Sequence, residues 1–271
     1  MLKINEIKAT SIISKSNLPD SDYVINPYVG CNHACLYCYA RFMKRFTGHD
    51  EPWGEFVDVK INAPDLIPNN TFKYRGKSIF IASVTDPYLP LERKYQLTRR
   101  VLKKLIPLRP KLGIQSKSDL IVRDIDLLKQ FDDCEVGLTI TTLDEKLQQE
   151  LEPTASSPER RIKALEELHQ AGLKTYVFIG PILPLLTDWK KIILATKHCT
   201  DFYMFENLNL SGGGVKSSVG AWLAACHPEW QTEYDKIYAR GSDYWDKMET
   251  EIKEFCREHQ IEARVYFHHG K

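Results

Sequence analysis

Cys31-Asn32-His33-Ala34-Cys35-Leu36-Tyr37-Cys38 puts three cysteines on one short stretch at the spacing C-x3-C-x2-C, directly after Tyr23-Val24-Ile25-Asn26-Pro27-Tyr28-Val29-Gly30. Three thiolates so close together can each bind one iron of a cubane and leave the fourth iron without a protein ligand. Clusters of the 4Fe–4S type ordinarily take four cysteines, so this spacing predicts an open coordination position. Open positions are where metal sites do chemistry, as in catalytic zinc. Zinc held by the same thiols with His33 or His49 is the competing reading. It lacks the second, distant C-x2-C pair that structural zinc sites usually have.

Beyond this stretch, apolar runs alternate with helical patterns. Ser78-Ile79-Phe80-Ile81-Ala82-Ser83-Val84 is nearly continuous and ends at Thr85-Asp86-Pro87, the pattern of a strand buried on both faces. Further strands are predicted over 21–28, 112–115, 135–141, 174–182 and 202–210. Helices are predicted over 97–106, 120–131, 144–151, 158–171 (stopped by Gly172) and 189–198. Repeated βα units require a parallel sheet with helices outside it. Polar residues follow the runs: Thr85 and Asp86, Lys117 and Ser118, Thr139 and Thr141, Asn207 and Asn209. In barrel-like α/β sheets that rim carries the active site.

Residues 1–20 read as a polar N-terminal arm, 35–46 as helical, 47–60 as a loop over the cysteines and 64–67 as a short helix. After Gly214 come helical segments over 219–225 and 243–259 and a last apolar run over 263–267. The expected organisation is an arm (1–20), one core (21–214) and a helical C-terminal extension packed on it (215–271).

The chain has 271 residues, a net charge of +1 and a pI near 7.6, which gives no whole-domain nucleic-acid footprint. The start has no apolar signal region and no run approaches the ~20 residues of a membrane span, so a cytoplasmic location is expected. Seven cysteines without a secretory signal favour reduced thiols or metal ligation. Cys134, Cys199, Cys226 and Cys256 stand alone and read as small buried hydrophobes. Arg93-Lys94, Arg99-Arg100 and Lys103-Lys104 read as a solvated helix face that could dock an acidic electron donor. Gly212-Gly213-Gly214 reads as a mobile loop, and His268-His269 as a solvated tail.

The C-x3-C-x2-C spacing with Tyr37 before its last cysteine resembles the signature of the radical S-adenosylmethionine (SAM) superfamily. The chain from about 25 to 210 is similar to that superfamily's spore photoproduct lyase-like branch. The matching segments are Ser83-Val84-Thr85-Asp86-Pro87-Tyr88 with Glu92, Ser116-Lys117-Ser118-Asp119 with Arg123-Asp124, Leu138-Thr139-Ile140, Glu152-Pro153 with Pro158 and Arg161, and Gly180-Pro181-Ile182. The resemblance implies an α/β fold, a partial (βα)6 TIM-type barrel. It implies a 4Fe–4S cluster on Cys31, Cys35 and Cys38, with SAM chelating the open iron and contacting Thr85, Lys117, Thr139 and Gly180. Reductive cleavage of SAM would give a 5′-deoxyadenosyl radical that abstracts hydrogen from a substrate, with a flavodoxin- or ferredoxin-type electron donor as partner. Some members of the branch are encoded beside a second radical SAM protein, a further partner to consider. In spore photoproduct lyase a cysteine two residues before the strand-end hydroxyl returns hydrogen to the lesion. Here that position is Ser83, whose O–H bond is too strong for the task, and no Arg- and aromatic-rich C-terminal hairpin is evident. DNA repair is therefore not expected to carry over. Nucleic-acid modification and a non-catalytic iron–sulfur adaptor remain the alternatives, and the determinants of the unknown substrate fall within 47–77 and 212–271.

Overall fold

The computed structural model describes residues 1–69 and 72–268. Its strands are β1 (Lys3–Ile7), β2 (Ile13–Lys15), β3 (Tyr23–Ile25), β4 (Tyr28–Val29), β5 (Phe56–Lys60), β6 (Ser78–Ile81), β7 (Lys111–Ser116), β8 (Asp133–Thr139), β9 (Lys174–Ile182), β10 (Phe202–Asn207) and β11 (Glu262–Val265). The main sheet has the order β11-β10-β9-β8-β7-β6-β3-β2. Every pair in it is parallel except β2 with β3. This is the α/β ladder that the sequence predicts, and β11 adds a seventh parallel strand to the expected six.

Alternation along each strand divides the side chains. Cys134, Val136 and Leu138 of β8 and Val177 and Ile179 of β9 enter the large core with the outer helices. The residues between them, Glu135, Gly137, Thr139, Tyr176 and Phe178, point to the opposite, concave face. Sterics fix the glycine: a Cβ at Gly137 would lie 2.2 Å from the Tyr176 ring. Gly137→Ala should therefore destabilise the fold by about 1–3 kcal/mol through overpacking, read as a lower urea midpoint. The helices carry local stop and start signals. Ser157 caps Pro158–Gln170 by accepting from Arg160 N, with proline at the first position, and Gly172 (φ +82°) follows its end.

The sheet curls. Tyr266, just past β11, donates its O–H to Asp20 Oδ2 at 2.7 Å, and Asp20 precedes β3 beside the opposite edge. Among the described residues no strand pairing joins β2 to β11, so this side-chain bond spans the seam of an unclosed barrel.

Several sequence expectations are corrected. The region read as an arm carries β1 and β2, and the region read as a loop over the cysteines ends in β5. β5 sits between β1 and β4 in a second sheet. β5 is hard to see because Asp58 sits in its middle, buried but bonded to His49 Nε2 (2.8 Å) and Asn5 Nδ2 (3.1 Å). The helix expected over 35–46 is a 3-10 helix, Tyr39–Phe46. The C-terminal part is not purely helical, since β11 extends the main sheet. Arg99 is no free surface cation but pairs with Asp124 and Asp126 at 2.7 Å each. Gly213 packs 3.3 Å (to an added Cβ) from the backbone of that 3-10 helix. Cys226 is exposed, whereas Cys134, Cys199 and Cys256 are buried. His268 is held rather than free: its ring lies 3.0 Å from Glu206 and its N–H donates to Asn207 at 2.7 Å. His269 lies outside the described residues. No helix among them is long and apolar enough to cross a membrane.

Candidate metal centre

The cysteine stretch leaves β4 through Gly30, whose φ of +84° and approach to Phe56 (a Cβ would lie 2.4 Å from its carbonyl oxygen) both require glycine. Cys31 and Cys35 are buried and Cys38 is half-buried. Burial pushes all three thiols upward, Cys35 to about 12, and Cys31 also feels the charges that Cys35 and Cys38 would carry. Three mutually repelling buried thiolates call for a polycationic group between them. Among the described residues no three His, Cys, Asp or Glu side chains converge as ligands of a single ion. A cubane asks for something else, since each thiolate binds a different iron. Both histidines of the zinc reading are turned elsewhere. His49 is bonded to Asp58 (2.8 Å) and Glu51 (3.0 Å), and His33 Nε2 faces Asp86 at 3.4 Å. The donor set fits a 4Fe–4S cluster.

Three buried carboxylates each hold one residue of the stretch or its approach. Asp86, at the end of β6, accepts from Ser116 Oγ (2.7 Å), Lys117 N (2.9 Å) and Tyr88 N (2.8 Å) and faces His33. Burial opposes its charge, yet His33, Ser116 and the Lys117 N–H together hold it down at about 2. Glu92 accepts from the Tyr28 hydroxyl and from Arg123 at 2.9 Å, while burial pushes its carboxyl up. Glu152 accepts from the Tyr37 hydroxyl, from Thr141 at 3.2 Å and from Arg161. Burial opposes ionisation of Glu152 too, but the guanidinium beside it holds its carboxyl below the usual range. Arg161 itself is 1% exposed and spends its other donors on Ser156 O (2.8 Å) and Thr139 O (2.9 Å).

The residues expected to meet SAM are placed as follows. Thr85 donates its hydroxyl to Gly30 O at 2.7 Å, tying β6 to the residue before Cys31. Lys117 extends its ammonium beside the stretch, 5.5 Å from the Tyr37 ring centroid, and among the described residues it makes no ion pair. Burial opposes its charge, but Cys35 and Glu152 hold its pKa above the ordinary value. Thr139 is buried and accepts from Gln115 Nε2 at 3.1 Å. Gly180 is explained by its neighbour: a Cβ would lie 2.3 Å from the Phe178 ring. Thr85 and Lys117 thus lie beside the cysteine stretch, and Gly180 sits against the Phe178 ring. Sequence reasoning missed Asn26, which bonds Ser83 Oγ (3.4 Å) and Val84 N (3.1 Å) and so joins β3 to the end of β6. It also missed Tyr39, whose hydroxyl donates to Ser83 O. Adjacency to Cys38 was the only signal for Tyr39.

A family model described as the radical SAM superfamily matches residues 25–194. The chain belongs to the radical SAM superfamily. Radical SAM proteins work with a 4Fe–4S cluster and SAM, in keeping with the donor set above. This radical SAM chain is 48% identical over 209 residues to an uncharacterised protein of Methanocaldococcus jannaschii, covering 77% of the chain and 79% of that protein. A radical SAM Nalpha-GlyT isomerase of Pseudomonas phage M6 is 26% identical over 160 residues, 58% of this chain and 32% of its own length. Spore photoproduct lyase complexed with a dinucleoside spore photoproduct has a similar fold (TM-score 0.69, 16% identity, 98% of this chain and 82% of that one).

Proposed function

We propose that Cys31, Cys35 and Cys38 ligate a 4Fe–4S cluster and that Lys117 receives the carboxylate of SAM, making this chain an enzyme that abstracts hydrogen from its substrate. When bound, these groups supply reductive cleavage of the sulfonium to a 5′-deoxyadenosyl radical. The observation that supports the reading best is the Lys117 ammonium beside the cysteine stretch, which makes no ion pair among the described residues. The chain's own work is holding and orienting. Asp86, Glu92 and Glu152 fix the loop, Thr85 sets its entry, and Lys117 offers a charge-assisted hydrogen bond to an incoming carboxylate.

Anaerobic reconstitution followed by reduction should release 5′-deoxyadenosine from SAM. A protein that loads iron yet releases none would be the adaptor of the alternative reading. Lys117→Met should weaken SAM binding about 10- to 150-fold, the equivalent of a charge-assisted hydrogen bond of about 1.5–3 kcal/mol. Equilibrium binding to the reconstituted protein measures this, and an unchanged Kd would remove Lys117 from the site.

Electrons would come from a flavodoxin- or ferredoxin-type donor. A nucleic-acid substrate draws support from the dinucleoside spore photoproduct named with the lyase complex, and salt-dependent retention on DNA or RNA tests it. The lyase's own reaction is not proposed here, since Ser83 stands where a hydrogen-donating cysteine would be needed.

A further inference from the structure

Arg41 stands three residues past Cys38, within the 3-10 helix Tyr39–Phe46. Its guanidinium turns back onto the cysteine stretch. Nη2 donates to Leu36 O at 2.7 Å and to Cys35 O at 3.1 Å, and Nη1 donates to the Ser218 hydroxyl on the helix Val215–Cys226. The Cys35 carbonyl also accepts the Cys38 N–H at 3.2 Å, so the guanidinium shares an acceptor with the turn that carries two of the thiols. Val215 and Val219 of the same helix pack in one apolar cluster with Cys35 and Tyr37.

What Arg41 lacks is a counter-charge. Each of its acceptors is neutral, and among the described residues it makes no ion pair. Its Nε–H is buried and has no acceptor. Four other described arginines are buried or half-buried, and every one of them faces a carboxylate. Arg99 pairs with Asp124, Arg123 with Glu92, Arg161 with Glu152 and Arg264 with Glu135. A cation drawn partly out of water loses solvation that only an opposite charge repays in full. For Arg41 the groups at hand that can become anionic are the thiols of the stretch it is bonded to.

We propose that the assembled cluster is the counter-charge of Arg41, and that the guanidinium in turn raises the cluster's reduction potential. The inference rests on the cluster assignment proposed above. Three thiolates more than cancel the positive charge of a cubane core, so the loaded stretch is anionic. One-electron reduction by the external donor adds a further negative charge. A fixed cation beside it therefore stabilises the reduced form more than the oxidised one, and net charge is among the factors that set iron–sulfur potentials. The two cations then divide the site, Lys117 for the carboxylate of SAM and Arg41 for the cluster.

The test uses reconstituted holoprotein without SAM, titrated with dithionite while EPR follows the reduced cluster. Arg41→Gln keeps an N–H donor for the carbonyls and removes the charge, whereas Arg41→Lys keeps the charge and loses the planar fork. At a given potential the ratio of reduced to oxidised cluster should fall about tenfold in Arg41→Gln, a midpoint about 59 mV lower for a one-electron couple. In Arg41→Lys it should stay near that of the parent. At equal iron content, an Arg41→Gln titration superimposable on the parent's would overturn the proposal. An equal fall in Arg41→Lys would overturn it as well, since geometry and not charge would then be the cause. Should Arg41→Gln fail to retain iron, retention by Arg41→Lys supports the matching of charge, and loss from both variants refutes it. Metal-free protein gives the control for a structural role: the two variants should share one urea midpoint, and a lower one in Arg41→Gln would mean that the fold itself supplies the partner. A protein that takes up no cluster sinks the functional reading. One that loads and cleaves SAM with an unshifted potential sinks only the role of Arg41.

Discussion

Arg161→Met should lower the stability of the metal-free protein by about 3–5 kcal/mol, because it strands the Glu152 carboxylate without its guanidinium. Both side chains are essentially inaccessible, 1% and 0% exposed, so water cannot replace the missing partner. The Ser156 and Thr139 carbonyls also lose their donors. Against a typical total of about 5–15 kcal/mol, this is a large share, measurable as a fall in the urea midpoint. Arg161→Met combined with Glu152→Gln should recover part of the loss, since the buried charge is then gone, and the double-mutant cycle gives the coupling. Additive losses would mean that the pair is not the source. Iron retention should fall in the single variant as well, because Glu152 also holds Tyr37, between Cys35 and Cys38.

Replacing Cys31, Cys35 and Cys38 together by alanine should reduce reconstituted iron from about four per chain to background and abolish 5′-deoxyadenosine release. The fold should survive, because Asp86, Glu92 and Glu152 anchor His33, Tyr28 and Tyr37 without any metal. Far-UV circular dichroism of the variant should match that of the parent. Iron uptake unchanged in the triple variant would overturn the cluster assignment.

The parallel ladder was legible because runs such as 78–84 and 174–182 bury both faces and advertise themselves in composition. The cysteine spacing was legible because its ligands are adjacent in sequence. What stayed hidden depends on partners far along the chain. β1 and β5 pair across fifty residues of sequence, and Asp58 looks like a surface residue until His49 and Asn5 are brought to it. Asp86 and Glu92 carry no mark of burial in the sequence itself. Their burial follows from Ser116, Tyr28 and Arg123, none of which is a helical neighbour. Gly180 has a packing reason that sequence alone does not show, for a side chain there would meet the Phe178 ring.

The small sheet β1-β5-β4 has one more consequence. Val29 pairs with Asp58 and Tyr28 with Val59, so the residues between them, with all three cysteines, form a chain loop clasped at its base. Opening those few pairs together with the bonds from Thr85, Asp86 and Glu152 to the loop would release it while the main sheet stayed intact, a sub-global event less costly than unfolding. Protection of amides within 30–55 from hydrogen exchange, and the shielding of anything the thiols hold from oxygen, would then follow the lifetime of this clasp rather than the stability of the barrel.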